Sequence, residues 1–181
     1  MNIESSYKKN NIGNTIYDVV LKYKPFKIID FGVLYGYSTI CMAKALKKLG
    51  RGKIYGYDLW DKYKYKHTSK RKTQQNLDKF NVSDIVKLRE KDFYKWLKSR
   101  ENFDLLHIDI SNDGDIIEEA YKRLKSFIKK GSIVIFEGGT KERDKEKWVI
   151  KYGKKPIYPL KNKIKYRIIN NKWPTLTIIE R

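Results

Sequence analysis

The stretch Asp30-Phe31-Gly32-Val33-Leu34-Tyr35-Gly36-Tyr37-Ser38 lies between an apolar β-branched run and an amphipathic one. Residues 27–32 (KIIDFG) read as a short buried strand ending in glycine. Residues 37–50 place Ile40, Ala43, Leu46 and Leu49 at helical spacing and end at Gly50, a helix-stop residue. The stretch is therefore a strand-turn-helix junction. Gly32 and Gly36 allow backbone to approach a ligand where a Cβ would clash. Amides at the helix start are donors for a carboxylate or phosphate. Asp58 ends the next apolar run, about twenty residues on, where an acid can accept both ribose hydroxyls.

The same alternation continues outward. Strands are expected at 53–58, 86–90, 103–110 and 132–137, with helices at 68–81 (Leu77 and Phe80 inward), 93–98 and 115–129. Strands separated by helices of this length imply right-handed crossovers and a parallel sheet covered on both faces. After Gly139 a charged helical stretch (141–152) leads to Pro156 and Pro159, then to strands at 165–170 and 175–181. Strands so close together form an antiparallel hairpin. The expected fold is α/β, a Rossmann-like doubly wound, mostly parallel sheet with a C-terminal antiparallel hairpin. One domain is expected over 1–181: an N-terminal cap helix (1–26), a ligand-binding core (27–139), and a substrate-side helix with the terminal hairpin (140–181).

Composition narrows the function classes. The 181 residues are 40% hydrophobic and 14% aromatic, a globular balance. Forty-one Lys and Arg against 21 Asp and Glu give a formal charge of +20, which raises a nucleic-acid reading. The excess is local. Residues 62–72 carry six bases and no acid, and 145–172 carry ten bases and one acid, whereas 73–144 carry fourteen of each. Cys41 is the only cysteine, which excludes an intramolecular disulfide and a Cys-based zinc site. No apolar run approaches a membrane span, and the first residues lack a signal peptide's apolar core, so a cytoplasmic protein is expected.

Dinucleotide sites carry G-x-G-x-x-G, and here Leu34 takes the middle glycine position. DFGVLYGYST instead resembles motif I of class I S-adenosylmethionine-dependent methyltransferases, especially the small-molecule branch with Gly-Tyr-Ser-Thr at the helix start. The resemblance covers roughly residues 25–140. It implies S-adenosylmethionine as cofactor, with Asp30 and Gly32 along its methionine side, Gly36 and Ser38 at its carboxylate and amine, and Leu34 and Tyr35 among the cofactor-binding residues. Asp58 would take the ribose, Asp92 and Phe93 the adenine, and Leu59 or Trp60 would sandwich the ring. LLHIDISND resembles the family's motif IV and puts Asp109 at a strand tip; GSIVIFEGG puts Glu137 at the next.

The implied reaction is methyl transfer to an oxygen of a small molecule, with sugars among the acceptors. Asp109, Glu137 and His107 are the candidates for the base. His107 shares the strand face of Asp109, although a mid-strand histidine equally suits a core role. Relatives that bind Mg²⁺ use the strand-four acid plus an acidic or Asp-Asn pair. Here Gly138 and Gly139 follow Glu137, so Asp109 and Glu137 are the two ligands that remain. Glu142, Arg143 and Asp144 lie where this fold faces its acceptor, or form a solvated helix face.

Two other readings stay open. Segments 62–72 and 145–172 would clamp RNA or another nucleic acid for ribose methylation; the Asn/Asp-Pro-Pro-aromatic motif of base-modifying relatives is missing after strand four. Alternatively, the chain is a catalytically inactive cofactor-binding module. The short N-terminal region leaves the pocket open or completed by a second copy. No membrane partner is expected.

Overall fold

The computed structural model describes residues 1–63, 68–126 and 128–181. A 3-10 stretch, Ser6–Asn11, leads into α1 (Ile12–Tyr23), followed by β1 (Lys27–Phe31), α2 (Tyr37–Leu49) and β2 (Lys53–Asp58). Next come α3 (Lys70–Lys79), β3 (Val86–Glu90), α4 (Phe93–Leu97), β4 (Leu105–Ile108), α5 (Gly114–Leu124) and β5 (Ile133–Phe136). The chain closes with α6 (Lys141–Asp144), α7 (Lys147–Lys151), a 3-10 stretch Tyr158–Asn162, β6 (Arg167–Asn170) and β7 (Leu176–Glu180). The strands form one sheet of order β3-β2-β1-β4-β5-β7-β6. β1 to β5 run parallel, and β7 is antiparallel to both β5 and β6. The expected fold class is the one observed.

Both faces of the sheet are covered, which explains why the central strands read as unbroken apolar runs. Alternate residues serve two cores. Ile28, Leu105 and Ile133 pack with Ile16 and Val20 of α1 and Ile40 and Leu46 of α2. Ile29, Leu106 and Val134 pack with Trp96 of α4 and Ile117, Ala120 and Leu124 of α5. Parity and register then fix polar neighbours. Asp30 pairs with His107 across β1 and β4, so both side chains lie on the α1/α2 face, two residues beyond Ile28 and Leu105.

Several boundaries differ from the sequence expectation. The strand expected at 103–110 is only Leu105–Ile108, because Asp109 begins the turn that ends in α5. The helix expected over 141–152 is broken into α6 and α7: Glu146 takes an extended backbone (φ −60°, ψ 137°) as N-cap of the second piece. Asp144, at the break, accepts the amides of Ile157 (3.0 Å) and Tyr158 (2.8 Å). The N-terminal region is more than a cap helix, since Ile3 and Tyr7 are buried ahead of α1. Residues 64–67 of the basic 62–72 segment lie outside the described residues. Among the described residues, no helix is long and apolar enough to cross a membrane.

Candidate active site at the carboxyl ends of the strands

The tips of β1, β2, β4 and β5 converge on the glycine turn. Gly32 has φ +89°, and an added Cβ would lie 1.9 Å from the carbonyl oxygen of Asp109. The glycine is thus required first by the neighbouring strand end. Gly36, also at φ +89°, is the N-cap of α2 and leaves the first-turn amides without a side-chain cap. Between them Leu34 adopts the left-handed region (φ +49°) with its side chain exposed.

The turn is held from three sides. The Leu34 amide donates to Asp58 Oδ2 (2.8 Å), while the Trp60 amide donates to Asp58 Oδ1 (2.9 Å). The Thr73 hydroxyl donates to the Leu34 carbonyl, and Asn76 Nδ2 to the Tyr35 carbonyl (2.9 Å). The Trp60 indole N–H donates to Thr73 Oγ1 (3.0 Å). Trp60 is buried in this brace, so it supports the turn and offers no ring face to an adenine; Leu59 beside it is half-buried. Thr73 and Asn76 were not singled out from sequence, because a polar helix face reads as solvated. Asp58 is half-buried, and each of its oxygens has accepting capacity beyond one amide. Asp92 caps α4 through the Lys95 amide (2.9 Å). Phe93 is buried against Phe31 and Trp96.

Asp30, expected along the methionine side, is fully buried. One oxygen lies 2.7 Å from His107 Nδ1, and the other accepts the Thr39 hydroxyl. It therefore presents no carboxylate to the cleft. His107 is fully buried as well, which corrects its candidacy as the group that touches the acceptor. Burial alone would lower its pKa, but the hydrogen bond and charge of Asp30, with the charge of Asp109, raise it above the ordinary value. Asp109 is the member of this group that is half-buried rather than fully enclosed. Burial pushes its carboxyl up, with His107 and a hydrogen bond from Tyr7 pulling the other way.

Glu137 is not free for an acceptor or a metal. Arg143 Nε lies 3.1 Å from Oε2 and 3.3 Å from Oε1, and Nη2 lies 2.9 Å from Oε2. Nη2 also donates to the Asn112 carbonyl (2.6 Å), and the guanidinium stacks 4.7 Å from the Trp148 ring centroid. Arg143 is fully buried, so it is neither a solvated helix residue nor an acceptor contact. Burial pushes the Glu137 carboxyl up to about 7 against the opposing pull of Arg143. Asn112 ties the two strand tips together, donating to the carbonyls of Ile108 (2.8 Å) and Glu137 (2.9 Å).

The donor set does not fit Mg²⁺. The guanidinium occupies both Glu137 oxygens, leaving Asp109 as the one carboxylate of the expected pair. Among the described residues there is no cluster of three His, Cys, Asp or Glu side chains suited to a metal ion. The glycine turn, the uncapped start of α2 and half-buried Asp58 do fit a nucleoside carrying an amino-acid tail.

Solved structures share this architecture. A putative O-methyltransferase from Klebsiella pneumoniae is 18% identical with a TM-score of 0.69, covering 95% of this chain and 81% of that one. The O-methyltransferase TomG from Streptomyces achromogenes, involved in tomaymycin synthesis and solved with S-adenosylmethionine, is 13% identical (TM-score 0.68; 93% and 78% covered). An O-methyltransferase from Bacillus cereus in complex with S-adenosylhomocysteine is 16% identical (TM-score 0.66; 99% and 85% covered). No curated protein sequence matches. The model of a family described as a methyltransferase domain matches residues 29–137, β1 through the tip of β5, and the chain belongs to that family.

Proposed function

We propose that the protein transfers a methyl group from S-adenosylmethionine to a hydroxyl oxygen of a small molecule. The observation that carries the reading is the placement of Asp109, a half-buried carboxylate of raised pKa, beside the Gly32 turn. The cofactor supplies an electrophilic methyl group, so the protein's tasks are positioning and removal of the acceptor's proton. The first-turn amides of α2 would hold the amino-acid tail, Asp58 the ribose hydroxyls, and Asp92 with Leu59 the adenine. Asp109 would take the acceptor proton, its raised pKa bringing it nearer the operating range of a base. Arg143 and Glu137 fix the loop after β5 behind it. This reading routes no step through a metal. Residues 140–181 supply the acceptor-side wall.

Isothermal titration tests the first half: micromolar S-adenosylmethionine binding is expected, weakened at least tenfold by Asp58→Ala. No binding by the wild type would refute the reading. Incubation with labelled cofactor and two probe acceptors, catechol and methyl glucoside, tests the oxygen acceptor through the ether methyl of the product.

A further inference from the structure

The chain ahead of α1 enters the site. Ser5 caps the 3-10 stretch Ser6–Asn11 by accepting the Tyr7 amide (3.1 Å), which turns the Tyr7 side chain inward. Tyr7 is 2% exposed, and its ring meets the His107 ring edge-on at 6.0 Å. The phenol oxygen lies 3.4 Å from His107 Nε2, and Asp109, two residues along the same strand face, is near enough for Tyr7 to bear on its carboxyl. His107 Nδ1 in turn lies 2.7 Å from Asp30, and Asp30 receives the Thr39 hydroxyl. Thr39, Asp30, His107 and Tyr7 thus form an unbroken polar line through the α1/α2 face of the sheet. Each of those four is nearly or fully buried, and Asp109 at the end is half-buried.

We infer that Tyr7 is a positioning residue for the acceptor-side carboxylate. With both ring nitrogens of His107 protonated beside Asp30, Nε2–H donates to the phenol oxygen and the single phenol hydrogen is left for Asp109, which as a carboxylate only accepts. The phenol is held in that direction by His107, and His107 by Asp30. Phenylalanine would fill the same space, and an apolar pair would fill the place of Asp30 and His107 with no need for partners. What the polar line adds is a fixed orientation of the Asp109 carboxylate toward the cleft. The register Asp30↔His107 and the parity of β4 make the arrangement a product of the sheet itself. Tyr7 lies outside the 29–137 segment matched by the family model, so this chain's N-terminal segment completes the site. The inference rests on Asp109 being the base.

The test uses the full chain and its two histidines, His67 and His107. With His67→Gln as background, the imidazole ¹⁵N spectrum reports His107 alone. Tyr7→Phe is expected to keep the circular dichroism spectrum and to leave the S-adenosylmethionine Kd within about twofold. The His107 ring resonances should nonetheless move. On whichever probe, catechol or methyl glucoside, the wild type methylates, kcat should fall at least tenfold while KM for the cofactor holds. Asp109→Asn keeps Tyr7 in place and should move the same resonances, which covers failure of Tyr7→Phe to fold. Unchanged His107 resonances in both variants, or unchanged kcat in folded Tyr7→Phe, would overturn the inference. Cofactor titration judges the proposed reaction and the imidazole spectrum judges Tyr7, so each can fail alone.

Discussion

The buried Arg143–Glu137 pair makes an asymmetric prediction. Replacing Glu137 with Leu leaves a guanidinium in the interior that cannot discharge, because arginine stays protonated in proteins. Breaking a buried pair in this way costs about 3–5 kcal/mol, and Asp144, 3.7 Å from Nη1, holds the loss toward the lower end. Replacing Arg143 with Leu leaves a carboxyl that can bind a proton, since burial pushes Glu137 up to about 7 even with Arg143 beside it. Its loss near neutral pH should be about 1–3 kcal/mol, the cost of unmade hydrogen bonds. The Glu137→Leu/Arg143→Leu double variant should recover to within about 1–2 kcal/mol of wild type. At about 2–4 °C per kcal/mol for a chain of this size, Glu137→Leu lowers Tm by roughly 6–20 °C. The pH dependence has a definite sign. Glu137's folded pKa lies above its unfolded one, so the native state holds the extra proton between about 4.5 and about 7. That contribution is fully present below about 4.5 and is lost as pH rises to about 7. Arg143→Leu should extend the decline to higher pH, and Glu137→Leu should abolish it. Urea unfolding followed by tryptophan fluorescence at pH 5.5 and 8 measures all four proteins. Equal losses in the single variants, or a double variant showing their sum, would refute the reasoning.

Other outcomes follow from the same geometry. Gly32→Ala should cost about 3 kcal/mol or more and abolish cofactor binding, because its Cβ would lie 1.9 Å from a backbone oxygen. Gly36→Ala, whose Cβ would rest 3.5 Å from Thr73, should cost only about 1 kcal/mol; urea denaturation ranks the two. Asn76→Ala removes the hydrogen bond to the Tyr35 carbonyl and should weaken S-adenosylmethionine binding severalfold while costing about 1 kcal/mol, read by titration and by thermal melting. Methyl transfer should fall as pH drops through a pKa above the ordinary carboxyl range, since protonation disables Asp109 as a base. Asp109→Asn should remove that limb of the pH–rate profile and at least about 100-fold of the rate.

What could be read from the sequence, and what could not, divides along physical lines. Strands β1, β2 and β5, the glycine junction and the terminal hairpin were legible because their signals are local: apolar runs, helical spacing, glycine punctuation. Asp58 and Asp109 were legible as acids at strand tips. The contacts each side chain makes were not. Glu137 and Arg143 are six residues apart, yet their pairing depends on α6 folding back beneath the β5 tip, which no period encodes. Trp60 looks like a ring-stacking residue until Thr73, from another helix, takes its indole hydrogen. Tyr7 is one of fourteen tyrosines and lies one hundred positions from His107, so nothing local distinguishes it.

The charge distribution bears on the proposed acceptor. The +20 is concentrated in 62–72, which runs from the tip of β2 into α3 and of which 64–67 lie outside the described residues, and in 145–172. At the strand tips Asp30 pairs with His107 and Glu137 with Arg143, all four buried, which leaves Asp58 and Asp109 as the half-buried acids. In the 145–172 segment, Lys154 faces Asp113 (3.4 Å), Lys155 faces Asp115 (2.8 Å) and Lys163 faces Glu118 (3.1 Å). These lysines are turned toward the start of α5 rather than toward the glycine turn. Exposed pairs of this kind contribute little to stability, but they do offset local charge. A half-buried carboxylate at the proposed acceptor position suits a neutral hydroxyl whose proton must leave. Asp109, the group that would take that proton, is where the proposed chemistry and the choice of a hydroxyl acceptor meet.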